Sequence, residues 1–137
     1  MRELSWECHK YGMVLFPELL HTNWDDQNDP NWIDACVRAG FEYGADAVKV
    51  LYAHDAFEKI VKACPVPVVM AGGPKSRSLQ DMVAEVIQAG GKGCAIGRNV
   101  YGSDDPAAVI KMLCETVHGK GSFLIFQFYQ IYGGIKL

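Results

Sequence analysis

The chain has 137 residues, of which 50% are hydrophobic and 21% are charged, a composition that builds a core and excludes a disordered chain. Its formal net charge of −3 gives no indication of the basic face that nucleic-acid binding requires. The length suits one domain but is short for a complete (β/α)8 barrel of about 250 residues.

The cysteines stand singly and far apart, each within or beside an apolar run: Cys8, Cys36, Cys64, Cys94 and Cys114. Isolated cysteines with no CxxC pair are typical of free, buried thiols in a reducing cytosol, and not of disulfides or a metal site. The N-terminal residues 1–12 have an amphipathic helical pattern without a long apolar core, so we predict no signal peptide. No apolar run approaches the length of a membrane span. We therefore expect a cytoplasmic protein with no metal and no membrane partner.

Short apolar runs alternate with longer helical patterns along the whole chain. The apolar runs predict strands at residues 13–16, 47–51, 66–71 and 93–97. A helix is predicted after each strand, at residues 31–43, 56–63, 78–89 and 106–118. Strand followed by helix, four times over, is the signature of parallel βαβ units wound in one direction. Both a doubly wound sheet and part of a barrel fit this pattern.

The first of these helices illustrates how its core-facing side is predicted. Asp29 and Pro30 suit a helix N-terminus, because a carboxylate caps it and proline fits its first turn. The residues that recur at helical spacing, and are predicted to face the core, are Trp32, Ala35, Cys36 and Ala39.

Polar or glycine residues follow one predicted strand after another, where parallel α/β folds bind their ligands. Lys49 stands within the apolar strand at residues 47–51. It is either a snorkelling or ion-paired lysine, or an amine that forms an imine with a ketone, and the pattern leaves both interpretations open. Glu18 is either an exposed glutamate or a proton-transfer group at a barrel mouth near Lys49. His21 and His54 are more typical of loop histidines than of catalysts.

Two glycine-rich turns close the last two predicted strands. Gly72 and Gly73 follow one strand, and Gly97 and Arg98 follow the next. Glycines let backbone N–H groups approach an anion, and an arginine adds a charge-assisted contact. Ordinary tight turns are the alternative, but two such turns after adjacent strands favour a phosphate site.

These residues resemble a known family. The stretch 66–75, VPVVMAGGPK, and the stretch 93–101, GCAIGRNVY, closely resemble the last two strands of a class I, Schiff-base aldolase family. That family includes archaeal-type fructose-bisphosphate aldolase, the deoxyribose-phosphate aldolase relatives and tagatose-bisphosphate aldolase. Residues 44–49, GADAVK, look like the strand that carries the family's Schiff-base lysine. The resemblance runs from about Leu4 to His118.

The resemblance implies that the four strands are the fifth to eighth of a TIM (β/α)8 barrel, so that residues 1–118 form its C-terminal half. Lys49 would form the imine. The phosphate of a ketone such as dihydroxyacetone phosphate would be held by Gly72, Gly73, Gly97 and Arg98. The implied activity is aldol cleavage of a phosphorylated ketose resembling fructose or tagatose bisphosphate. No cofactor is required, because the imine is the electron sink.

Residues 16–20, FPELL, look most like the tagatose-bisphosphate branch, where a glutamate in this strand relays protons. The archaeal-type branch has a tyrosine near this point, and position 20 is leucine here. Glu18 is therefore the candidate proton-transfer residue.

Residues 119–137 depart from the family pattern and form a divergent apolar tail, rich in aromatic residues and β-formers. This composition is typical of an aggregation-prone strand and not of the family's terminal helix. Four parallel strands leave two unpaired edges, so we expect a homo-oligomer or part of a longer barrel chain. The alternative function is a truncated, catalytically inactive phosphate-binding or assembly module.

Overall fold

The computed structural model describes residues 1–23 and 26–119. The predicted tail from residue 120 onward lies outside the described residues, so its boundary stays a prediction. The helices and strands of the described part follow in the order α1 (Arg2–Lys10), α2 (Pro30–Glu42), β1 (Val48–Val50), a 3-10 helix (His54–Ala56), α3 (Phe57–Ala63), β2 (Val68–Met70), α4 (Leu79–Gln88), α5 (Arg98–Tyr101) and α6 (Pro106–His118).

The sheet consists of β1 and β2, which run parallel with Lys49 opposite Val69. One further segment lies at each edge of this sheet and joins it by a single parallel bridge. Glu18 bridges to Lys49 at one edge, and Cys94 bridges to Met70 at the other. Of the four predicted strands, the second and third therefore form in shortened versions. The first and fourth, at residues 13–16 and 93–97, do not form regular strands: the bridge at Glu18 lies two residues beyond the first range, and the bridge at Cys94 lies within the fourth.

The first segment stays a bridge because of Pro17. The Lys49 N–H donates to the Pro17 carbonyl at 2.9 Å, and the Leu19 N–H donates to the Lys49 carbonyl at 3.1 Å. The next rung of a parallel ladder would need an N–H at position 17, which proline lacks. The ladder therefore ends after one pair.

The fourth segment is interrupted at Gly93. The Met70 N–H donates to the Gly93 carbonyl at 3.0 Å and the Ala95 N–H to the Met70 carbonyl at 2.8 Å. One step earlier, the Val68 carbonyl accepts from Lys92 and not from Gly93, so the register slips by one residue. Gly93 has φ of +151°, a conformation open chiefly to glycine. This slip prevents a regular strand.

The two faces of the sheet differ sharply in burial. Val48, Val50, Val68 and Met70 are at most 1% exposed and belong to the core against the helices. Side chains alternate between the faces of a strand, so Lys49 points to the opposite face, where it is only half-buried. The core thus lies on one side of the sheet and Lys49 on the other.

Helix α2 begins as predicted, but of the four residues predicted to face the core only Cys36 is fully buried. The Asp29 carboxylate accepts from the Asn31 N–H at 2.9 Å, which confirms the cap. The predicted core residues Trp32 and Ala35 are exposed. The residues that α2 buries are Ile33, Cys36, Val37 and Gly40.

Helix α2 meets β1 at Gly40, one of the residues that the helix buries. A Cβ at this position would lie 2.4 Å from Val48 Cγ1, so glycine lets α2 lie directly against β1. A close backbone approach of this kind leaves no signal in hydrophobic periodicity, because glycine carries no apolar side chain to count.

Each of the cysteines is a free thiol, as predicted, but only Cys36 is fully buried and the other four are half-buried. Burial raises the pKa of the thiols of Cys36, Cys64 and Cys94 above the ordinary value. Within the described ranges, no helix has the length and apolar character needed to cross a membrane.

Candidate active site

The predicted catalytic pair is in direct contact. Lys49 Nζ lies 2.9 Å from Glu18 Oε2, although the residues are 31 positions apart. The backbone bridge between the same two residues sets this register, so both side chains leave the sheet on one face. The Lys49 side chain is 23% exposed and that of Glu18 is 42% exposed.

This contact allows direct proton exchange between an amine and a carboxylate, since 2.9 Å is within hydrogen-bonding distance. It also compensates the charge of a lysine that stands among apolar residues of β1. The geometry therefore combines the two interpretations that the sequence leaves open: Lys49 is ion-paired, and its partner is a group able to take its proton.

A cavity of about 600 Å³ opens beyond the C-terminal ends of β1, β2 and the bridged segment that contains Cys94. Its lining residues are Gln27, Asn28, Leu51, Gly73, Lys75, Arg77, Arg98, Asn99 and Gly102. Lys49 does not line the cavity itself, but Leu51, two residues further along the same face of the chain, does. The lysine is therefore next to a cavity of a size typical for small ligands, roughly 300–1,000 Å³.

The structure brings two of the predicted phosphate-binding residues, Gly73 and Arg98, to the same cavity. Gly72 is buried beside Gly73, and its carbonyl accepts from the Tyr52 N–H at 2.8 Å. Gly97 precedes Arg98 and is exposed. One residue of each glycine turn therefore lines this cavity, and phosphate binding by the four residues stays a prediction.

Gly72 and Gly73 are required for different reasons. Gly72 has φ of +129°, where other residues would be strained. A Cβ on Gly73 would lie 2.7 Å from Met82 Sδ and 3.0 Å from Tyr52 Cβ, so glycine keeps this turn close to α4. Gly97 has neither constraint: its φ is −107°, and a Cβ there would make an ordinary contact of 3.4 Å with the Tyr101 ring.

Two further cations line this cavity and were not predicted from the sequence as site residues. Lys75 and Arg77 lie in the loop between β2 and α4 and line the same space as Arg98. The signal that could have indicated them is a pair of basic residues spaced by one position, directly after the glycine turn. His54, predicted as a loop histidine, lies with its Nδ1 3.3 Å from Arg77 Nη1.

The other polar groups of the site offer no set of metal ligands. Within the described ranges, no group of three or more His, Cys, Asp or Glu side chains is arranged to hold a metal ion.

Comparison with known proteins identifies the family of the chain. Residues 1–103 match the model of the family described as DeoC/LacD family aldolase. The chain belongs to this family. The predicted family resemblance is confirmed.

Among curated relatives, proteins of Salmonella paratyphi A and Shigella flexneri serotype 5b are each 38% identical to the chain over 96 residues. Both are named 3-hydroxy-5-phosphonooxypentane-2,4-dione thiolase. The match covers 69% of this chain, but only 33% of the Salmonella protein and 38% of the Shigella protein. The chain thus spans about a third of the length of these curated relatives.

Among solved structures, an archaeal fructose 1,6-bisphosphate aldolase is 31% identical with a TM-score of 0.76 over 86% of this chain. Another archaeal fructose-1,6-bisphosphate aldolase, described with its catalytic lysine covalently bound to the carbinolamine intermediate, is 29% identical with a TM-score of 0.77. This chain covers 50% of each.

A fructose-bisphosphate aldolase from Slackia heliotrinireducens, 18% identical with a TM-score of 0.74, supports the fold alone. The described fold is therefore part of a TIM-barrel aldolase fold. The assignment of its segments to strands five to eight stays a prediction.

Proposed function

We propose that this chain carries the imine-forming lysine and the phosphate-binding loops of a Schiff-base aldolase that cleaves a phosphorylated ketose. Fructose and tagatose bisphosphates are the model substrates. The observation that carries the proposal is the 2.9 Å contact of Lys49 Nζ with Glu18 Oε2, beside a cavity lined by Gly73 and Arg98.

Lys49 is proposed as the nucleophile. Its neutral amine attacks the ketone carbon, and loss of water leaves an iminium cation that withdraws electrons from the adjacent bonds. The neighbouring carbon–carbon bond then breaks, releasing an aldehyde and leaving an enamine on Lys49. Protonation of the enamine and hydrolysis of the resulting iminium free the second product and restore the amine.

Glu18 is proposed as the proton-transfer group. Cleavage of the carbon–carbon bond requires that the hydroxyl of the leaving aldehyde lose its proton, and a carboxylate at the amine is placed to accept it. The same carboxylate can first take the proton from the Lys49 ammonium, since the two groups are already hydrogen-bonded. It then returns that proton to the carbinolamine hydroxyl, which leaves as water, so that Glu18 is ionised again when the carbon–carbon bond breaks.

The phosphate of the substrate is proposed to bind at the glycine turns. Gly72 and Gly73 keep the backbone of the first turn free of side chains, and Gly97 does the same before Arg98. Arg98 adds a guanidinium to the cavity, which suits a phosphate through charge-assisted hydrogen bonds. The names of the relatives support a phosphorylated carbonyl substrate, because they name a phosphonooxy diketone or fructose bisphosphate.

The face of the sheet that carries Lys49 is proposed to be covered by further barrel strands, from a second copy of the chain or from a longer chain. The edges at Glu18 and Cys94 each pair on one side only among the described residues, which supports further pairing there. We also propose a cytoplasmic location, because free thiols are typical of a reducing compartment.

Reductive trapping tests the proposal. Incubation with dihydroxyacetone phosphate and borohydride should reduce the imine to a stable secondary amine, which peptide mass spectrometry locates on Lys49. The Lys49→Met variant should give no adduct. Lys62→Met is the matched control, because Lys62 is a 71% exposed surface lysine that also pairs with a glutamate.

Absence of an adduct in the unaltered protein, or an adduct on another lysine, would reject the imine at Lys49. Phosphate binding without an adduct would instead support the catalytically inactive phosphate-binding module.

A further inference from the structure

The segment that contains Glu18 forms one open edge of the sheet, here called the first edge. Its main chain bonds to β1 and the residues just before β1 through alternate positions, Leu15, Pro17 and Leu19. The positions between them turn their N–H and C=O groups away from β1. The residues whose main-chain groups make no hydrogen bond within the described ranges are Val14, Phe16 and Glu18. The first edge is therefore a template for one more parallel strand.

The bridged segment that contains Cys94 forms the second edge. Gly93 and Ala95 bond to Met70 of β2, whereas the main-chain groups of Cys94 and Ile96 make no hydrogen bond in the part of the chain that the structure describes. Both edges run in the direction of the sheet strands and offer the N–H and C=O of every second residue. Two edges of this kind can join in one parallel ladder.

An apolar groove of about 450 Å³ lies beside the second edge, between the bridged segment and α6. Its apolar side chains are those of Ile96, Val100, Ile110, Leu113 and Val117. At the first edge, by contrast, apolar side chains are displayed: Met13 is 60% exposed and Val14 is 70% exposed. A groove with apolar walls and a segment with exposed apolar side chains are complementary, because each removes the other from water.

We propose that the first edge of one copy of the chain pairs with the second edge of another, so that two copies close one barrel around the face that carries Lys49. This inference rests on the proposed function, in which further barrel strands cover that face, and it commits those strands to a second copy. A two-fold axis along the barrel keeps all segments parallel and repeats the same contact twice. One added strand would pair only one edge, whereas a second copy pairs both.

Closure also determines which residues lie opposite each other. One row of opposite residues crosses the sheet in the order Leu19, Val50, Met70 and Cys94, its first pair lying one residue beyond the bridge of Glu18 to Lys49. A (β/α)8 barrel has a shear of about eight residues, or about four for each copy. Cys94 is therefore expected opposite Leu15 of the second copy, since the opposite shift would reach position 23, beyond the segment.

Sedimentation velocity of the full chain tests the pairing. We expect a dimer at tens of micromolar protein. Val14→Asp on the first edge and Ile110→Asp in the groove should each weaken dimerisation about 100-fold or more, because each places an unpaired carboxylate in both contacts. Tyr101→Asp is the matched control, since Tyr101 is 72% exposed and does not line the groove, and it should leave dimerisation unchanged.

A mixture of the two edge variants tests the head-to-tail arrangement. The Val14→Asp copy keeps its second edge and the Ile110→Asp copy keeps its first, so a mixed dimer regains one contact between unaltered edges. The mixture should associate more tightly than either variant alone. Dimerisation lost in Val14→Asp but kept in Ile110→Asp would show that like edges pair, which would overturn the inference.

A cross-link tests the register. Opposite residues of neighbouring strands lie about 4.8 Å apart, a separation that a disulfide spans. Mild oxidation of the Leu15→Cys variant should therefore join two copies through Cys94, as read by peptide mass spectrometry. The L15C/C94S double variant should not be joined. A link that forms only through another cysteine would overturn this pairing.

The stability of the face with Lys49 gives an independent measurement, because only the dimer covers it. Val69→Ala should cost little free energy of unfolding at nanomolar protein, where the copies are separate, and more at tens of micromolar. Met70→Ala, in the core of each copy, should cost the same at both concentrations. An equally small cost of Val69→Ala at both concentrations would contradict closure.

A folded monomer at tens of micromolar, or a dimer that neither edge variant weakens, would overturn the inference. Sedimentation does not require an imine, so its outcome is independent of reductive trapping. An adduct on Lys49 in a folded monomer rejects this inference alone. A dimer that both edge variants weaken, but that gives no adduct, rejects the lysine chemistry alone.

Discussion

The two faces of the small sheet have opposite properties. Val48, Val50, Val68 and Met70 are at most 1% exposed and pack under the helices. One residue away along the same strand, Lys49 faces the other side and contacts Glu18. Side chains alternate between the two faces of a strand. The three residues of β1 therefore place Val48 and Val50 in the core and Lys49 on the opposite face. Stability is concentrated on one face, and the proposed chemistry on the other.

The largest effect should come from the buried face. Met70→Ala leaves a cavity in a fully buried position, and we expect a loss of about 2–5 kcal/mol in the free energy of unfolding, measured by urea denaturation. Val69→Ala, on the open face, should cost less than about 1 kcal/mol, since half-buried methyl groups lose less contact. Comparable losses in the two variants would mean that both faces are covered in solution.

On the open face, Glu18→Gln should affect the reaction and not the fold. We expect kcat for aldol cleavage to fall about 100-fold, since an amide cannot accept the proton. The free energy of unfolding should change by less than about 1 kcal/mol, because the ion pair with Lys49 is partly exposed. Glu42→Gln, which breaks the exposed pair with Arg38, is the control. Unchanged kcat in Glu18→Gln would remove this glutamate from the proposed mechanism.

The smallest effect concerns the attachment of α1 to the start of β1. The Leu15 N–H donates to the Asp46 carboxylate at 2.7 Å, and His9 Nε2 lies 2.9 Å from it. The Leu15 hydrogen bond and then His9 hold the pKa of Asp46 below its ordinary value of 3.8. The stabilisation is therefore present above pH 3.8 and is lost as the pH falls through the lower, folded-state value.

Asp46→Asn tests this attachment. Thermal melting should show the variant less stable than the unaltered protein near pH 6, with the difference shrinking below pH 3.8. A constant difference across this range would show that the carboxylate charge plays no part. The Asp26→Asn variant, in an exposed loop, provides a matched control.

Much of the chain could be predicted locally. Helices α2, α4 and α6 begin within one residue of the predicted starts at residues 31, 78 and 106, and Asp29, Ser78 and Asp105 cap them. The strand positions were also visible as apolar runs. The apolar runs did not predict how far each segment pairs. Pro17 and Gly93 limit hydrogen bonding to the neighbouring segment of the sheet, and only the fold shows which segment that is.

The sequence by itself determined the aldolase family, the helix starts and the lysine in an apolar strand, because these depend on residues close together along the chain. Only the tertiary structure decided which partners meet across long separations. It placed Glu18 at Lys49 and Glu85 with Tyr52 around Arg77, because parallel pairing and helix packing set these distances. It also brought Gly40 of α2 against Val48, since close packing at a glycine depends on the opposing surface.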